Sequence, residues 1–408
     1  MRPRTESRTE MYDSVRGFVL QKSQFSPRLE NMAKYVVSRD EEKKILSKLD
    51  GRQDAESARI KRYLAMPDLS RTPDSPLKEI VDRVTSLQNL KDFDHIDIPE
   101  VISTDIIFDL FGFSADHPAR SKSDTYYVDE KNVLRTHDTV MWYYYFNLPE
   151  IKEKIKNNET LGVFCYGKVY RKDEIDRKHM NVFHQMGALY LVPDSKEKVP
   201  FEELKKVLVD ILQSVLSKYT KYRFVDETFP YTDPSIEVEV EINGEWFEIL
   251  GSGMPKKDVL KNFGIEGYNG WAFGFGLERL AIIGMELPDI RLLWSEDPRV
   301  INQLKLGNKY SEVSKYPPIV RDISFVVNNN FIPNDYFDIV RETAPGLVEQ
   351  VELLDKYENE EKFGKDNTSY AFRITYRSID RTLLASEIDA VHKKLEEVTI
   401  KVFAATVR

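Results

Sequence analysis

Gly270-Trp271-Ala272-Phe273-Gly274-Phe275-Gly276-Leu277-Glu278-Arg279-Leu280 reads as an apolar strand that runs directly into a helix over Leu277–Met285. Glycines at 274 and 276 strip side chains from one strand face, so a flat group can lie against the backbone there. Arg279 follows on the first turn of the helix, beside that opening. Close strand packing explains this glycine spacing as well as a binding floor does. The stretch is not a dinucleotide fingerprint, because a third glycine at the required spacing and a ribose-binding acid on a following strand are both missing. Immediately upstream, Ile236, Val238, Val240 and Ile242 alternate with Glu237, Glu239 and Glu241, turn at Asn243-Gly244 and return through Trp246–Leu250. That pattern predicts an antiparallel hairpin.

Farther upstream, Gly162–Val192 holds two strand-like runs. Val169, Arg171 and Asp173 alternate onto one face of the first; Phe183, Gln185, Gly187, Leu189 and Leu191 share one face of the second. Both strands therefore aim polar groups at a common surface. Between them, Glu174–Val182 is too polar for a core and carries Arg177, Lys178 and His179, which suits a loop closing over an anion or an exposed hairpin tip. Before these strands, Asp116-His117-Pro118-Ala119-Arg120 precedes Leu134-Arg135-Thr136-His137-Asp138-Thr139. His137 and Thr139 offer hydrogen bonds to a small polar ligand, while Thr136 or Asp138 equally suits a helix cap. None of the six histidines has zinc spacing with a Cys or His partner, so a metal here is held by oxygen.

The whole chain has 408 residues, with 59 basic and 68 acidic side chains and a net charge of −9. That excludes nucleic-acid binding through a bulk positive field, so any RNA contact is local. The single cysteine, Cys165, excludes an internal disulfide framework and suits a reducing intracellular compartment. No apolar run approaches the ~18 residues of a membrane span. Residues 1–22 mix Arg2, Arg4, Arg8, Arg16 and Lys22 with Glu6, Glu10 and Asp13, unlike acid-poor transit peptides. The expected location is the cytoplasm, with the mitochondrial matrix as the alternative.

Ser38–Arg62 is mostly polar and reads as a solvated helix or helical linker. A turn-rich stretch then leads to the stripe Leu77, Ile80, Val81, Val84 and Leu87. These signals set residues 1–75 apart as an N-terminal extension, helical or partly disordered. A first compact domain spans 76–308, with a long amphipathic helix starting at Pro200. Over 309–408, a strand at Ile319–Val327, a helix at Asp335–Thr343, strands near Val348–Lys356 and Ser369–Arg377, and a helix at Ser386–Phe403 predict a ferredoxin-like unit whose last strand the pattern does not locate. The expected fold class is α+β.

Taken in order, these segments resemble the class II aminoacyl-tRNA synthetases, in particular the single-chain, mitochondrial-type phenylalanyl-tRNA synthetases. The resemblance runs from about Ser75 to the C-terminus. It is carried by Asp116–Arg120, Arg135-Thr136-His137, Tyr170-Arg171-Lys172-Asp173 with Phe183-His184-Gln185, Phe229-Pro230-Tyr231-Thr232-Asp233-Pro234-Ser235, and Gly276-Leu277-Glu278-Arg279. Ser314-Lys315-Tyr316-Pro317-Pro318, Arg321–Phe325 and Arg381-Thr382-Leu383 look like that family's ferredoxin-fold anticodon-binding domain. The resemblance implies a class II antiparallel sheet flanked by helices. It also implies a ligation in which phenylalanine attacks the α-phosphate of ATP and the acyl group then moves to the 2′-hydroxyl of the terminal adenosine of tRNA(Phe).

By the same resemblance, Arg171 and Arg279 are the catalytic pair, at the α-phosphate and the γ-phosphate of a bent ATP. Asp173, His179 and Phe183 complete the nucleotide site, with Phe183 stacked on adenine. Glu248, and less so Glu237, would hold Mg2+. His137, Thr139 and Gln185 would be polar contacts to phenylalanine, with Phe229, Tyr231, Ala272 and Gly274 as walls of its side-chain pocket. Two residues depart from the family pattern: Gly187 stands where a Glu is usual, so a carboxylate expected on the active-site face is missing, and Tyr231 replaces the second Phe of a Phe-Pro-Phe segment. Asp173 also stands where class II enzymes more often have Glu.

Residues 310–408 carry 13 Lys and Arg against 17 Asp and Glu. The tRNA contact expected there relies on shape, stacking and a few charges such as Arg373 and Arg377, and deleting the segment is expected to leave adenylate formation intact. A monomer fits the presence of both domains on one chain. The alternatives are a class II paralogue with another amino acid or acceptor, and a catalytically inactive RNA-binding relative.

Overall fold

The computed structural model describes residues 33–174, 176–218, 220–242, 244–312, 316–378 and 380–408. The basic segment at residues 1–22, Asn243 of the hairpin turn, and Ser314 and Lys315 lie outside the described residues.

The strands of the first domain are β1 (Lys34–Val36), β2 (Asp94–Asp97), β3 (Val101–Ser103), β4 (Asn132–Leu134), β5 (Leu161–Tyr170), β6 (Val182–Pro193), β7 (Tyr222–Phe229), β8 (Thr232–Ile242), β9 (Glu245–Pro255) and β10 (Tyr268–Gly276). Eight of them form one sheet in the order β1-β2-β5-β6-β10-β9-β8-β7, and β3 pairs with β4 apart from it. From β5 to β7 every pairing is antiparallel. The expectation of an antiparallel sheet is corrected at the other edge, where β1 pairs parallel with β2 and β2 parallel with β5. Those edge strands are only three and four residues long, too short for an alternation to register in the sequence.

Strand alternation sends side chains to two cores. Ala188, Tyr190, Trp271, Phe273 and Phe275 join Leu204, Val207, Leu208, Ile211 and Leu212 of the helix Phe201–Val215 and the stripe of the helix Pro76–Thr85 on one face. Leu189, Leu191, Ala272 and Cys165 join Trp142 and Phe111 on the other. A fully buried Leu or Phe contributes roughly 1.5–3 kcal/mol, so these two layers hold the central strands flat and fix their register.

The C-terminal domain has β11 (Ile319–Asn328), the helix Pro333–Thr343, β12 (Val348–Glu358), β13 (Asn367–Tyr376), the helix Ala385–Phe403 and β14 (Thr406–Val407). Its order β12-β13-β11-β14 is that of a ferredoxin-like fold. The strand missing from the sequence reading is the two-residue β14, which pairs with Phe325 and Val326.

Residues 33–75, set apart by the sequence as an extension, are woven into both domains. β1 completes the large sheet, and the region of Ser38–Arg62 forms two helices, Asp40–Asp50 and Ala55–Ala65. Arg59, Ile60 and Tyr63 on the second are buried. Arg59 Nε donates to Glu342 at 2.7 Å and Tyr63 Oη to Asp338 at 3.3 Å, both in the C-terminal domain. A charged residue that ends up buried between domains looks solvated in a linear pattern, which is why this stretch read as a linker.

Candidate active site

β5, β6, β10 and β9 form the floor. Along β6 and β10 the register sets Gly187 opposite Gly274 and Gln185 opposite Gly276. Arg171 stands one residue beyond β5, rather than within it, but its N–H still donates to Asn181 O at 3.0 Å and so continues the ladder. Its Nε donates to Thr136 O at 3.0 Å, and its guanidinium lies 5.3 Å from the ring centre of Phe183.

At the far end of the floor, Arg279 on the helix Leu277–Met285 donates to Glu248 O at 3.2 Å and pairs with the Glu248 carboxylate at 3.3 Å. The neighbouring Glu278 is buried and accepts from His184 N at 2.9 and 3.0 Å. His184 Nε2 accepts from Leu69 N at 2.9 Å, so Nδ1 carries the proton and donates to Glu278 at 2.6 Å. That buried clasp ties the start of the helix to β6 and sets where Arg279 can reach.

Between the two arginines lies a cavity of about 300 Å3. Its walls bring together His137, Thr139, Gln185, Phe229, Tyr231, Ala272 and Gly274 with Arg171, Asp173, His179, Phe183, Glu248 and Arg279. Phe229 and Tyr231 stack with ring centres 6.0 Å apart, and Gly251 makes the room: a Cβ there would meet Phe229 Cζ at 3.0 Å. Thr139 offers the Tyr231 hydroxyl a side-chain hydrogen bond, which answers the need created by the extra oxygen.

Not every expected residue is gathered here. Glu237 sits on β8 and does not line the cavity, although Glu248 acts on it electrostatically. Arg373 and Arg377, expected on one exposed strand face, are separated. Arg373 on β13 is paired with Asp322 at 2.8 Å, whereas Arg377 lies past the strand end and is held by Glu349 and by Tyr316 O. Glu349 also receives Arg177 from the loop after β5. Arg377 is thus tied into the domain junction, a placement that strand alternation did not convey.

Charge is distributed unevenly along the cavity. Burial, helped by Arg171, pushes His137 down to about 3, so it is neutral, and neither of its ring nitrogens has a hydrogen-bond partner among the described residues. Burial pushes Asp138 up to about 7 against the pull of Arg135 and Arg171. Burial and the charge of Glu248 push Glu237 up to about 7. The hydrogen bond that His179 donates to the Asp176 carboxylate raises its pKa, favouring its charged form.

Among the lining residues that the sequence does not mark as site residues are Asp138, Lys178 and Trp142. Asp138 was taken only as a cap. Lys178, seen only as loop charge, lies 4.1 Å from the ring centre of Phe247 at the cavity rim. Trp142 walls the aromatic end with its Nε1 unpartnered among the described residues. The one available signal was the missing carboxylate at Gly187, which asks where a replacement sits.

Comparison with known proteins agrees with this arrangement. Residues 63–304 match the family of tRNA synthetases class II core domain (F), and residues 314–408 match the ferredoxin-fold anticodon binding domain. The chain is 35% identical over 342 residues to the mitochondrial phenylalanine–tRNA ligase of Mus musculus, covering 74% of this chain and 73% of that one. It is 36% identical over 312 residues to the chloroplastic/mitochondrial enzyme of Arabidopsis thaliana (74% and 70%) and 32% identical over 391 residues to the mitochondrial one of Saccharomyces cerevisiae (76% and 81%). With a class II core that ends in Gly276-Leu277-Glu278-Arg279, a ferredoxin-fold domain on the same polypeptide and these relatives, the chain belongs to the phenylalanine–tRNA ligase family of class II aminoacyl-tRNA synthetases.

Proposed function

We propose that this chain activates phenylalanine with ATP to an aminoacyl adenylate and transfers the acyl group to the 2′-hydroxyl of the terminal adenosine of tRNA(Phe). The observation that carries this reading is the convergence of Arg171 and Arg279, remote in sequence, on one cavity whose floor is cleared by Gly274 and Gly276. An in-line displacement at phosphorus needs positioning and charge stabilisation more than a covalent nucleophile. Arg171 sits at the junction of the amino-acid end and the nucleotide end, where it meets both the substrate carboxylate and the α-phosphate and stabilises charge as the phosphorus becomes five-coordinate. Arg279, beside His179, holds the outer phosphates, and Asp173 borders the same end. Phe183 offers its ring to adenine.

At the aromatic end, Phe229, Tyr231 and Ala272 enclose the phenyl ring, with edge contacts of about 0.5–1.5 kcal/mol per pair. Neutral His137, with Thr139 and Gln185, gives the polar contacts. Glu248, which lines the cavity beside Arg279, would hold Mg2+ together with phosphate oxygens, whereas Glu237 lies outside the cavity wall. Bound there, the ion supplies positive charge against the phosphate oxygens.

The three relatives compared above are named for mitochondria or chloroplasts, which favours an organellar protein over the cytoplasmic one expected first from the sequence. No helix among the described residues is long and apolar enough to cross a membrane. The single-chain relatives support a monomer that carries its own tRNA-binding domain.

ATP–pyrophosphate exchange measured with each of the twenty amino acids tests the reading. Exchange with phenylalanine, abolished by Arg279→Ala, is the expected result. Exchange with another amino acid and none with phenylalanine would transfer the chain to the paralogue reading.

A further inference from the structure

An amino acid presents three groups to its site: a side chain, a carboxylate and an ammonium. The first two have partners in the walls described above. For the third, the cavity offers four carboxylates: Asp138, Asp173, Glu248 and Glu278. Glu278 is engaged by His184, Glu248 by Arg279, and Asp173 borders the nucleotide end. Asp138 remains, and it stands among the residues of the amino-acid end. We propose that the Asp138 carboxylate receives the α-ammonium group of the amino-acid substrate, an inference that rests on the phenylalanine-activating reading above.

The geometry around it is specific. Gly187 on β6 and Gly274 on β10 face each other across the ladder, and the Asp138 carboxylate fills the notch they leave. A Cβ at position 187 would meet Asp138 Oδ2 at 2.5 Å and Phe273 O at 2.9 Å; a Cβ at 274 would meet Oδ1 at 3.4 Å. Asp138 and any side chain at 187 therefore exclude each other.

Asp138 stands in the turn after β4 and lays its carboxylate over the two glycines of the floor. Asp138 is 2% exposed, and its Oδ2 has no hydrogen-bond partner among the described residues. The two nearby guanidiniums pull on Asp138 by charge without hydrogen-bonding to it: Arg135 Nε and Nη2 donate to Lys168 O, leaving Nη1 unpartnered among the described residues, and Arg171 Nε donates to Thr136 O. An unpartnered buried carboxylate oxygen is unfavourable in the empty site, and a bound cation relieves it. The Asp138 N–H donates to Gln185 at 3.2 Å, which pins the turn to β6 and holds the carboxylate over the notch.

Two inhibitors separate this role from a structural one. Phenylalaninol has the ammonium and lacks the carboxylate; 3-phenylpropionate has the carboxylate and lacks the ammonium. In Asp138→Asn, KM for phenylalanine in pyrophosphate exchange should rise on the order of 100-fold, the scale of losing one buried charge pair, while KM for ATP stays within about twofold. The inhibition constant of phenylalaninol should rise in parallel, and that of 3-phenylpropionate should stay level or fall. Gly187→Glu alone should be impaired, because its Cβ would meet both Asp138 Oδ2 and Phe273 O.

Equal weakening of both inhibitors in Asp138→Asn, or full activity of Gly187→Glu alone, overturns the inference while leaving the functional reading intact. Failure of the unaltered protein to exchange label with phenylalanine overturns that reading, and the inference with it.

Discussion

Asp138, proposed above as the partner of the substrate ammonium, is a buried carboxylate held at the expense of the fold. Its ordinary carboxyl value is 3.8 and burial pushes it up to about 7. Between those values the native state binds more protons than the unfolded chain, so stability is lost as pH rises through that window. Replacing it with Asn removes the cost of holding a buried charge. Asp138→Asn should therefore raise the melting temperature of the ligand-free protein at pH 8, by an amount equivalent to about 2–4 kcal/mol, and by roughly half as much near pH 5.5. Thermal melts across that range check it; a variant less stable than the parent at pH 8 contradicts the burial argument. His137, held near 3 by burial and Arg171, is neutral throughout and contributes no step of its own above pH 5. Neither value could be read from the sequence, because Thr136-His137-Asp138 has the composition of a cap, and only the surrounding fold reveals that Asp138 is buried against two glycines.

At the level of elements, the glycine-spaced strand, the β8–β9 hairpin and the helix Phe201–Val215 were legible because each repeats a period of 2 or 3.6 over eight or more residues. β1, β2 and β14 were not, since two to four residues hold no period and owe their place to neighbours. The clasp between β6 and the helix Leu277–Met285 was half legible: Glu278 and His184 were both in quoted motifs, but their meeting is a property of the folded pair. Glu278→Ala would leave the His184 backbone N–H and Nδ1–H without their acceptor in a buried site, at about 3–5 kcal/mol for two lost charge-assisted bonds. It would also free the first turn that carries Arg279. We expect a lower melting temperature together with a fall of at least about tenfold in kcat for pyrophosphate exchange, since small displacements of a positioning group are costly. Because the Glu278 carboxylate is engaged by His184 rather than turned to the amino-acid end, KM for phenylalanine should change little, and a large phenylalanine KM effect would contradict the positioning role.

Across the whole molecule, the junction between the two domains was the least legible feature, because it is made of charged and polar residues scattered over the chain. Asp338, fully buried on the helix Pro333–Thr343, accepts from Tyr126 at 2.9 Å, Asn181 at 3.0 Å and Tyr63 at 3.3 Å and pairs with Arg59 at 3.3 Å. Asn181 also carries the carbonyl that accepts from Arg171 N, so this cluster abuts the end of the ladder that presents Arg171. From the same helix, Arg341 donates to Asp173 O at 2.8 Å and Glu174 O at 2.9 Å, and Lys172 reaches back to Asp335 at 2.9 Å. The loop after β5 is therefore fastened to the C-terminal domain by its backbone, which argues against the expectation that removing residues 310–408 leaves adenylate formation intact. Two substitutions in the full chain separate stability from positioning. Asp338→Ala leaves three buried donors without their acceptor and removes one carboxylate from around Arg59, which keeps Glu342 and Glu56, and should cost about 3–5 kcal/mol in thermal or urea unfolding. Arg341→Ala removes the two bonds to the loop backbone and a long, 3.5 Å contact to Asp338 at a half-buried site, so it should cost about 1–3 kcal/mol while raising KM for ATP about three- to tenfold, as the segment bearing Asp173 and His179 loses its fixed path. An unchanged ATP KM in Arg341→Ala would mean that the nucleotide end is ordered by the catalytic domain alone, and the C-terminal domain would then act on charging only through the RNA it holds.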